Sequence, residues 1–150
     1  MKIRLVSITK RKRASKQSPV DELTAEYIKR AGRYSAVECA EYASEEALLK
    51  SLERAGRTAP VLVALDSRGR QMSSEELAEF FRGHLERGTQ ELVLAIGPAD
   101  GWSPAAGTQA KLKLSLGKIT LPHELARVVV AEQIYRAFTI LNHHPYHAGH

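Results

Sequence analysis

With 150 residues, a single cysteine and a formal net charge of +5 at pH 7, the chain can build one hydrophobic core, and Cys39 has no second cysteine with which to form a disulfide. Its first residues lack the apolar region of a signal peptide, and no apolar run approaches the roughly 20 residues that cross a bilayer, so we expect a cytoplasmic protein. The basic balance favours a partner with a phosphate backbone but does not by itself identify one.

Strand-like and helix-like patterns alternate along the chain. Strands are predicted over residues 3–8, 36–42, 61–65, 91–96 and 112–116, and helices over 19–34, 44–55, 73–87 and 124–141. A turn is predicted at 66–69 and a further short helix before the fifth strand. Ser73 and Glu76 are spaced to form a capping box at the start of the third helix. This order predicts one α/β domain over residues 1–150, with a mostly parallel sheet covered by helices on both faces.

Ligands of such sheets bind outside the carboxyl ends of the strands, which directs attention to the loops after Leu65, Ile96 and Leu116. The loop that begins at Gly97 fits neither the dinucleotide-binding pattern nor a Walker A loop, and an ordinary turn is the alternative. The segment 116–124 is an apolar loop whose backbone groups need partners. The flat faces and polar edges of an adenine ring would suit it, and a buried connection with internal partners is the alternative.

A cluster of cations follows the first strand, at Lys10, Arg11, Lys12, Arg13 and Lys16. We predict that this segment contacts RNA phosphates, which gives salt-dependent affinity without sequence specificity. A solvated loop is the alternative.

The last helix is apolar on nearly every side, which predicts that it is buried on nearly every side. One sheet cannot cover all of its faces, so we infer a homodimer with a twofold interface at this helix. Glu132 and Arg136 are spaced to pair on its surface. Arg127 lies at the loop end of the helix, near the expected ligand, and an interface salt bridge is its alternative role.

The tail combines histidines with Pro145 and Tyr146. A histidine cluster suggests a metal site, but no cysteine lies nearby and Pro145 breaks the helix that would align the rings, so we assign no metal. Imidazole and phenol groups can also stack on an RNA base and exchange hydrogen bonds with it. A frayed terminus is the alternative.

Four segments together carry a resemblance to a known family: residues 94–97 (LAIG), 114–123 (LSLGKITLPH), 127–137 (RVVVAEQIYRA) and 144–147 (HPYH). In this order they resemble the RlmH family, small bacterial methyltransferases of the knotted SPOUT superfamily. Members of that family methylate N3 of a pseudouridine in 23S ribosomal RNA. The resemblance covers essentially the whole chain, and its specificity lies in the combination of motifs.

The resemblance implies a deep trefoil knot in the C-terminal part and a site for S-adenosylmethionine in the knot loops. The implied cofactor contacts are Leu65, Gly97, Leu116, Gly117, Lys118, Ile119, Thr120 and Leu121. The chain departs from the family at Pro98, where relatives usually have a second glycine, and at Ala99. Proline cannot adopt a positive φ, so the loop after Gly97 is expected to differ in shape.

The implied reaction is methyl transfer to a base that has been unstacked from the RNA, on the large subunit or the assembled ribosome, with S-adenosylhomocysteine as the second product. Candidates for handling the base and its proton are His123, Arg127, Arg136, Tyr146 and His147. Two other functions are open on the sequence. One is a different SPOUT activity, on a ribose or a transfer RNA, and the other is RNA binding without catalysis.

Overall fold

The computed structural model describes residues 1–9, 18–53 and 58–148. Its strands are β1 (Lys2–Ile8), β2 (Val37–Tyr42), β3 (Val61–Gln71), β4 (Glu91–Ile96) and β5 (Leu112–Ser115). Its helices are α1 (Pro19–Ala31), α2 (Glu45–Ser51), α3 (Ser74–Glu86), α4 (Pro104–Gln109) and α5 (His123–Leu141), followed by a 3-10 turn at Pro145–His147. No helix in these ranges is long and apolar enough to cross a membrane.

The five strands form one parallel sheet in the order β2-β1-β4-β3-β5. The predicted α/β class and its parallel sheet are therefore confirmed. Because every strand points the same way, the ends of β3, β4 and β5 lie at one edge of the sheet, and the loops that follow them are neighbours. β4 lies in the centre, and all six of its residues are buried, which explains its continuous apolar run.

Helices cover both faces of the sheet. On β1, Ile3 and Leu5 face a core that also contains side chains of α1, α3 and α5. Val6 and Ile8 face a smaller core on the opposite side, which includes Leu48 of α2. The alternation of inward directions along one strand thus produces a three-layer arrangement.

The final helix packs between α1 and α3 over the sheet. Tyr27 of α1 lies 6.2 Å from Tyr135 between ring centroids, and Phe81 of α3 lies 5.6 Å from Phe138. The argument that one sheet cannot cover all faces of α5 overlooked α1 and α3, two helices of the same chain that cover its flanks. Leu125, which is 44% exposed, and the half-buried Val128 and Val129 form the apolar stripe that stays open.

The predicted turn at 66–69 was also wrong, because β3 continues through it to Gln71. The strand pairs with β5 on both sides of a register shift between Leu65 and Arg70. At Gly69 a Cβ atom would lie 2.5 Å from the carbonyl oxygen of Lys113, so only glycine allows this close approach. Pairing with a neighbouring strand outweighed a local turn signal.

The helix starts were predicted better than the helix ends. The capping box of Ser73 and Glu76 is present at α3, but α1 ends at Ala31 and α2 at Ser51, earlier than expected. Ser18 and Asp21 form a second capping box at α1. The cationic segment with Lys10, Arg11, Lys12, Arg13 and Lys16 lies outside the described residues.

Candidate functional site

The strand-end loops enclose a cavity of about 450 Å³ at the carboxyl edge of the sheet. Its walls come from residues 65–68 within β3, from the loop after β4 and from the loop between β5 and α5. The eight positions named above for cofactor binding divide into two groups. Six line the cavity, namely Leu65, Gly97, Leu116, Gly117, Ile119 and Leu121. The exposed Lys118 and Thr120 do not line it.

Trp102 is a wall residue that the sequence did not single out. Its indole Nε1–H donates a hydrogen bond of 2.8 Å to the carbonyl oxygen of Leu65. The same ring lies over Gly97, where a Cβ atom would come within 2.6 Å of Cε2. Gly97 is therefore required because the indole occupies the place of a side chain, and Trp102 ties the loop after β4 to the end of β3.

The loop after Gly97 does not need a positive φ at position 98. The carbonyl of Pro98 accepts a hydrogen bond of 2.9 Å from the N–H of Gly101, and the positive φ of 89° falls on Gly101. Pro98 can thus hold its fixed φ at the start of a turn that glycine completes. The departure from the family pattern at this position leaves the cavity wall intact.

The loop between β5 and α5 is shaped by one hydroxyl group. Ser115 Oγ accepts a hydrogen bond of 3.1 Å from the N–H of Gly117 and lies 3.3 Å from the carbonyl oxygen of Ser67. Gly117 has a φ of 116°, which side-chain-bearing residues rarely adopt. The exposed Ile119, at 75%, follows this turn and lines the cavity.

The two candidate residues at the start of α5 have different surroundings. His123 is exposed and lines the cavity. Arg127 is only 6% exposed, and its guanidinium forms an ion pair with Asp21 of α1 and lies 3.9 Å from Glu41. Arg127 therefore joins α5 to α1 within the chain and does not line the cavity.

The other three candidates meet at the far end of α5. Arg136 donates two hydrogen bonds from Nε and one from Nη2, at 2.8–3.1 Å, to the carboxylate of Glu132, which confirms the predicted pairing. Arg136 Nη1 lies 2.9 Å from Nδ1 of His147, whose Nε2 lies 2.6 Å from Oε1 of Glu75. The hydroxyl of Tyr146 donates to Glu132 at 3.2 Å.

The tail is packed against the core through Tyr146, so the alternative of a frayed terminus does not describe its residues up to Ala148. Its direction is set by His143, which ends α5 with a φ of 55°. The Tyr146 ring then meets Tyr135 edge-on at 4.7 Å, and the Arg136 guanidinium lies 4.8 Å from its centroid. Burial raises the pKa of Tyr146, and hydrogen bonding and the charge of Glu132 add to the effect, so the phenol is a neutral donor.

The five candidates therefore form two groups. His123 and Arg136 are thirteen positions apart on one helix, which corresponds to roughly 20 Å at 1.5 Å per residue. Within one chain, the tail cluster cannot reach a base held at the cavity. Among the described residues no group of three or more histidines, cysteines or carboxylates is placed to hold a metal ion.

A parallel α/β sheet with a glycine-walled cavity at its carboxyl edge is the architecture of a nucleotide-type cofactor site. The family described as "Predicted SPOUT methyltransferase" matches residues 1–147. The chain therefore belongs to the SPOUT methyltransferases, enzymes that depend on S-adenosylmethionine.

Curated relatives specify the branch of this family. "Ribosomal RNA large subunit methyltransferase H" of Koribacter versatilis is 56% identical over 150 residues, covering all of both chains. The relative of that name from Deinococcus radiodurans is 41% identical over 155 positions, covering 99% of this chain and all of its own. A solved structure, the SpoU methyltransferase AviRb of Streptomyces viridochromogenes in complex with AdoMet, has a TM-score of 0.48 and 17% identity over 91% of this chain and 57% of its own.

Proposed function

We propose that the chain transfers a methyl group from S-adenosylmethionine to N3 of a pseudouridine in 23S ribosomal RNA, in the cytoplasm, on the large subunit or the assembled ribosome. The observation that carries the proposal is the cavity at the carboxyl edge of the sheet, because six of the eight expected cofactor positions line it. Full-length similarity to relatives named for this activity supports the RNA substrate.

The cavity suits an adenosine group by size and by chemistry. A volume of about 450 Å³ falls in the range of small-molecule sites. Leu65, Leu116 and Leu121 offer apolar contacts to the ring faces. Gly97 and Gly117 both line the cavity, and nothing lies within 4 Å of the place where a Cβ of Gly117 would be, so backbone groups there can bond the polar edge of the ring.

S-adenosylmethionine supplies a methyl group that is already activated on a sulfonium. The remaining tasks of the protein are to hold the base in line with that methyl group and to accept or share the proton of N3. His123 is the candidate at the cavity for the proton, because its imidazole is exposed there. Tyr146 is a neutral phenol, so we assign it hydrogen bonding and stacking with the base and not proton removal.

The positions of the candidates support a homodimer. In one chain the tail cluster of Arg136, Tyr146 and His147 is roughly 20 Å along α5 from the cavity, whereas a twofold pairing of α5 helices would bring one tail to the cavity of the partner. The exposed Ile119 and Leu125 give such an interface apolar contacts. The C-terminal knot implied by the family belongs to the same proposal, and the order β4-β3-β5 is compatible with it.

The test compares ribosomes from cells with and without the protein. Mass spectrometry of nucleosides from 23S ribosomal RNA is expected to show one N3-methylated pseudouridine that disappears on deletion and returns with the gene. Calorimetry is expected to show S-adenosylmethionine binding to the purified protein. If the methyl group that disappears on deletion lies on a ribose or on a transfer RNA, the protein has the other SPOUT activity instead. If the purified protein does not bind S-adenosylmethionine, RNA binding without catalysis is the remaining function.

A further inference from the structure

A second recess of about 400 Å³ lies beside the cofactor cavity and shares Asp66, Arg68 and Trp102 with it. Its own walls are α4, through Gly107 and Thr108, and Lys113 of the edge strand β5. Lys113 pairs in register with Ala64 of β3, so its position is fixed by the sheet. Thus the recess is built from regular elements at the border of the predicted reaction site.

The recess contains two cations that form no ion pair with any carboxylate in the described part of the chain. Most arginines of the described ranges are held in ion pairs with carboxylates, as the following six are: Arg4, Arg30, Arg70, Arg82, Arg127 and Arg136. Arg68 and Lys113 are exposed, and their side chains make no ion pair or hydrogen bond to another described residue. They are available for an anion from outside the chain.

The carboxylates near the recess accept hydrogen bonds from groups other than these two cations. Oδ1 of Asp66 accepts the backbone N–H of Arg68 at 2.9 Å, which fixes the backbone of β3 at the arginine. Glu45 bonds the backbone N–H of Ser103 at 2.8 Å and also its hydroxyl. A Cβ atom at Gly107 would lie 3.1 Å from Nζ of Lys113, so the missing side chain leaves room for the ammonium group.

We propose that this recess binds a backbone phosphate of the RNA substrate, with Lys113 and Arg68 as its ligands. The proposal rests on the function proposed above. A nucleotide whose base is held at the cofactor cavity carries a phosphate on either side, and the recess is adjacent to that cavity. Lys113 lines the recess but not the cavity, so its charge is directed to the substrate and not to the cofactor. Such a contact positions the RNA without reading its sequence.

The test uses Lys113→Ala and Arg68→Ala in the full chain, with Lys29→Ala as the matched control. Lys29 is also exposed and has no ion pair within the described residues, but it lies on α1, away from the cavity. Binding to ribosomes that lack the methyl group is measured over a series of salt concentrations. We expect each recess variant to bind several-fold more weakly at low salt and to reduce the salt slope of log K by about 0.7–0.9, the value for one lost phosphate contact.

Calorimetry distinguishes the two anions that could bind in the recess, a phosphate of the RNA and the carboxylate of the cofactor. S-adenosylmethionine affinity is expected to stay within twofold of wild type in Lys113→Ala. A loss of cofactor affinity would show that the recess serves the cofactor carboxylate, and a salt slope equal to that of Lys29→Ala would show that no phosphate binds there; either result overturns the proposal. A wild-type protein that transfers no methyl group to ribosomal RNA, yet shows the Lys113-dependent salt slope, would instead refute the proposed function alone.

Discussion

The contact between Gly97 and Trp102 gives the sharpest prediction about the cofactor cavity. In Gly97→Ala, the new Cβ atom would lie 2.6 Å from Cε2 and 2.8 Å from Nε1 of the indole, well inside van der Waals contact. The ring must move, and the hydrogen bond from Trp102 to the carbonyl oxygen of Leu65 is then lost. The walls contributed by β3 and by the loop after β4 separate.

The size of the effect follows from two costs. A net hydrogen bond contributes about 1 kcal/mol, and overpacking one methyl group costs about 1–3 kcal/mol. If the cofactor binds only to the undistorted wall, part of the binding free energy is used to restore that wall. The loss of binding free energy is then at most the sum of the two costs, about 2–4 kcal/mol. At 1.4 kcal/mol per factor of ten, this corresponds to roughly 30-fold to several hundred-fold weaker binding. The larger side chain of Gly97→Val should nearly abolish binding while the fold persists.

Calorimetry with S-adenosylmethionine measures the effect, and a double-mutant cycle identifies its cause. Gly97→Ala should cost much less affinity in a Trp102→Ala background, because the clash partner is gone. Trp102 is the sole tryptophan of the chain, so its emission should shift in Gly97→Ala. Gly83→Ala is the control, since its Cβ meets only ordinary contacts at 3.6 Å or more. Equal costs in both backgrounds would refute the reasoning.

Three further predictions concern stability and the tail. Deleting residues 145–150 should lower methyl transfer at least tenfold and also lower the free energy of unfolding by about 1–3 kcal/mol, because a packed aromatic ring and its hydrogen bonds are removed; full activity would place the substrate elsewhere. Arg127→Ala should cost about 3 kcal/mol in urea unfolding, because it breaks the buried ion pair that joins α5 to Asp21 of α1, and Asp21→Asn should cost less in that background than in the wild type. Burial lowers the pKa of His84, so stability should fall as pH drops below about 6.5, and His84→Gln should flatten that dependence.

The location of the cavity could be predicted because it follows from rules that act over short distances. Apolar runs identified the strands, with β4 matched at both ends. Since parallel strands share one carboxyl edge, their following loops had to meet. Glycine at positions 97 and 117 then indicated special backbone positions. The structure shows a close approach to another group at Gly97 and a positive φ at Gly117.

Contacts between distant residues could not be predicted in the same way. Trp102 is 37 positions from Leu65, and Arg127 is 106 positions from Asp21. Nothing in the pattern around either residue names its partner, because the partner is chosen by the packing of whole elements. The turn signal at 66–69 failed for a related reason: β5 pairs with β3 at Leu65 and again at Arg70, on both sides of this stretch, and that pairing depends on a chain segment more than forty positions away.

The two ends of α5 carry different groups, and this difference bears on how the active site would be assembled. The end at His123 adjoins a cavity made largely of backbone and apolar side chains, which can bind a cofactor but offers few groups for the base. The end at Arg136 carries a guanidinium, a phenol and an imidazole already tied to one another through Glu132 and Glu75, yet it has no cofactor cavity. On the assignments proposed above, methyl transfer needs groups from both ends, and the length of the helix keeps them roughly 20 Å apart. On the proposed twofold dimer each cavity receives the tail of the partner, so cofactor binding would be a property of one chain and catalysis a property of two.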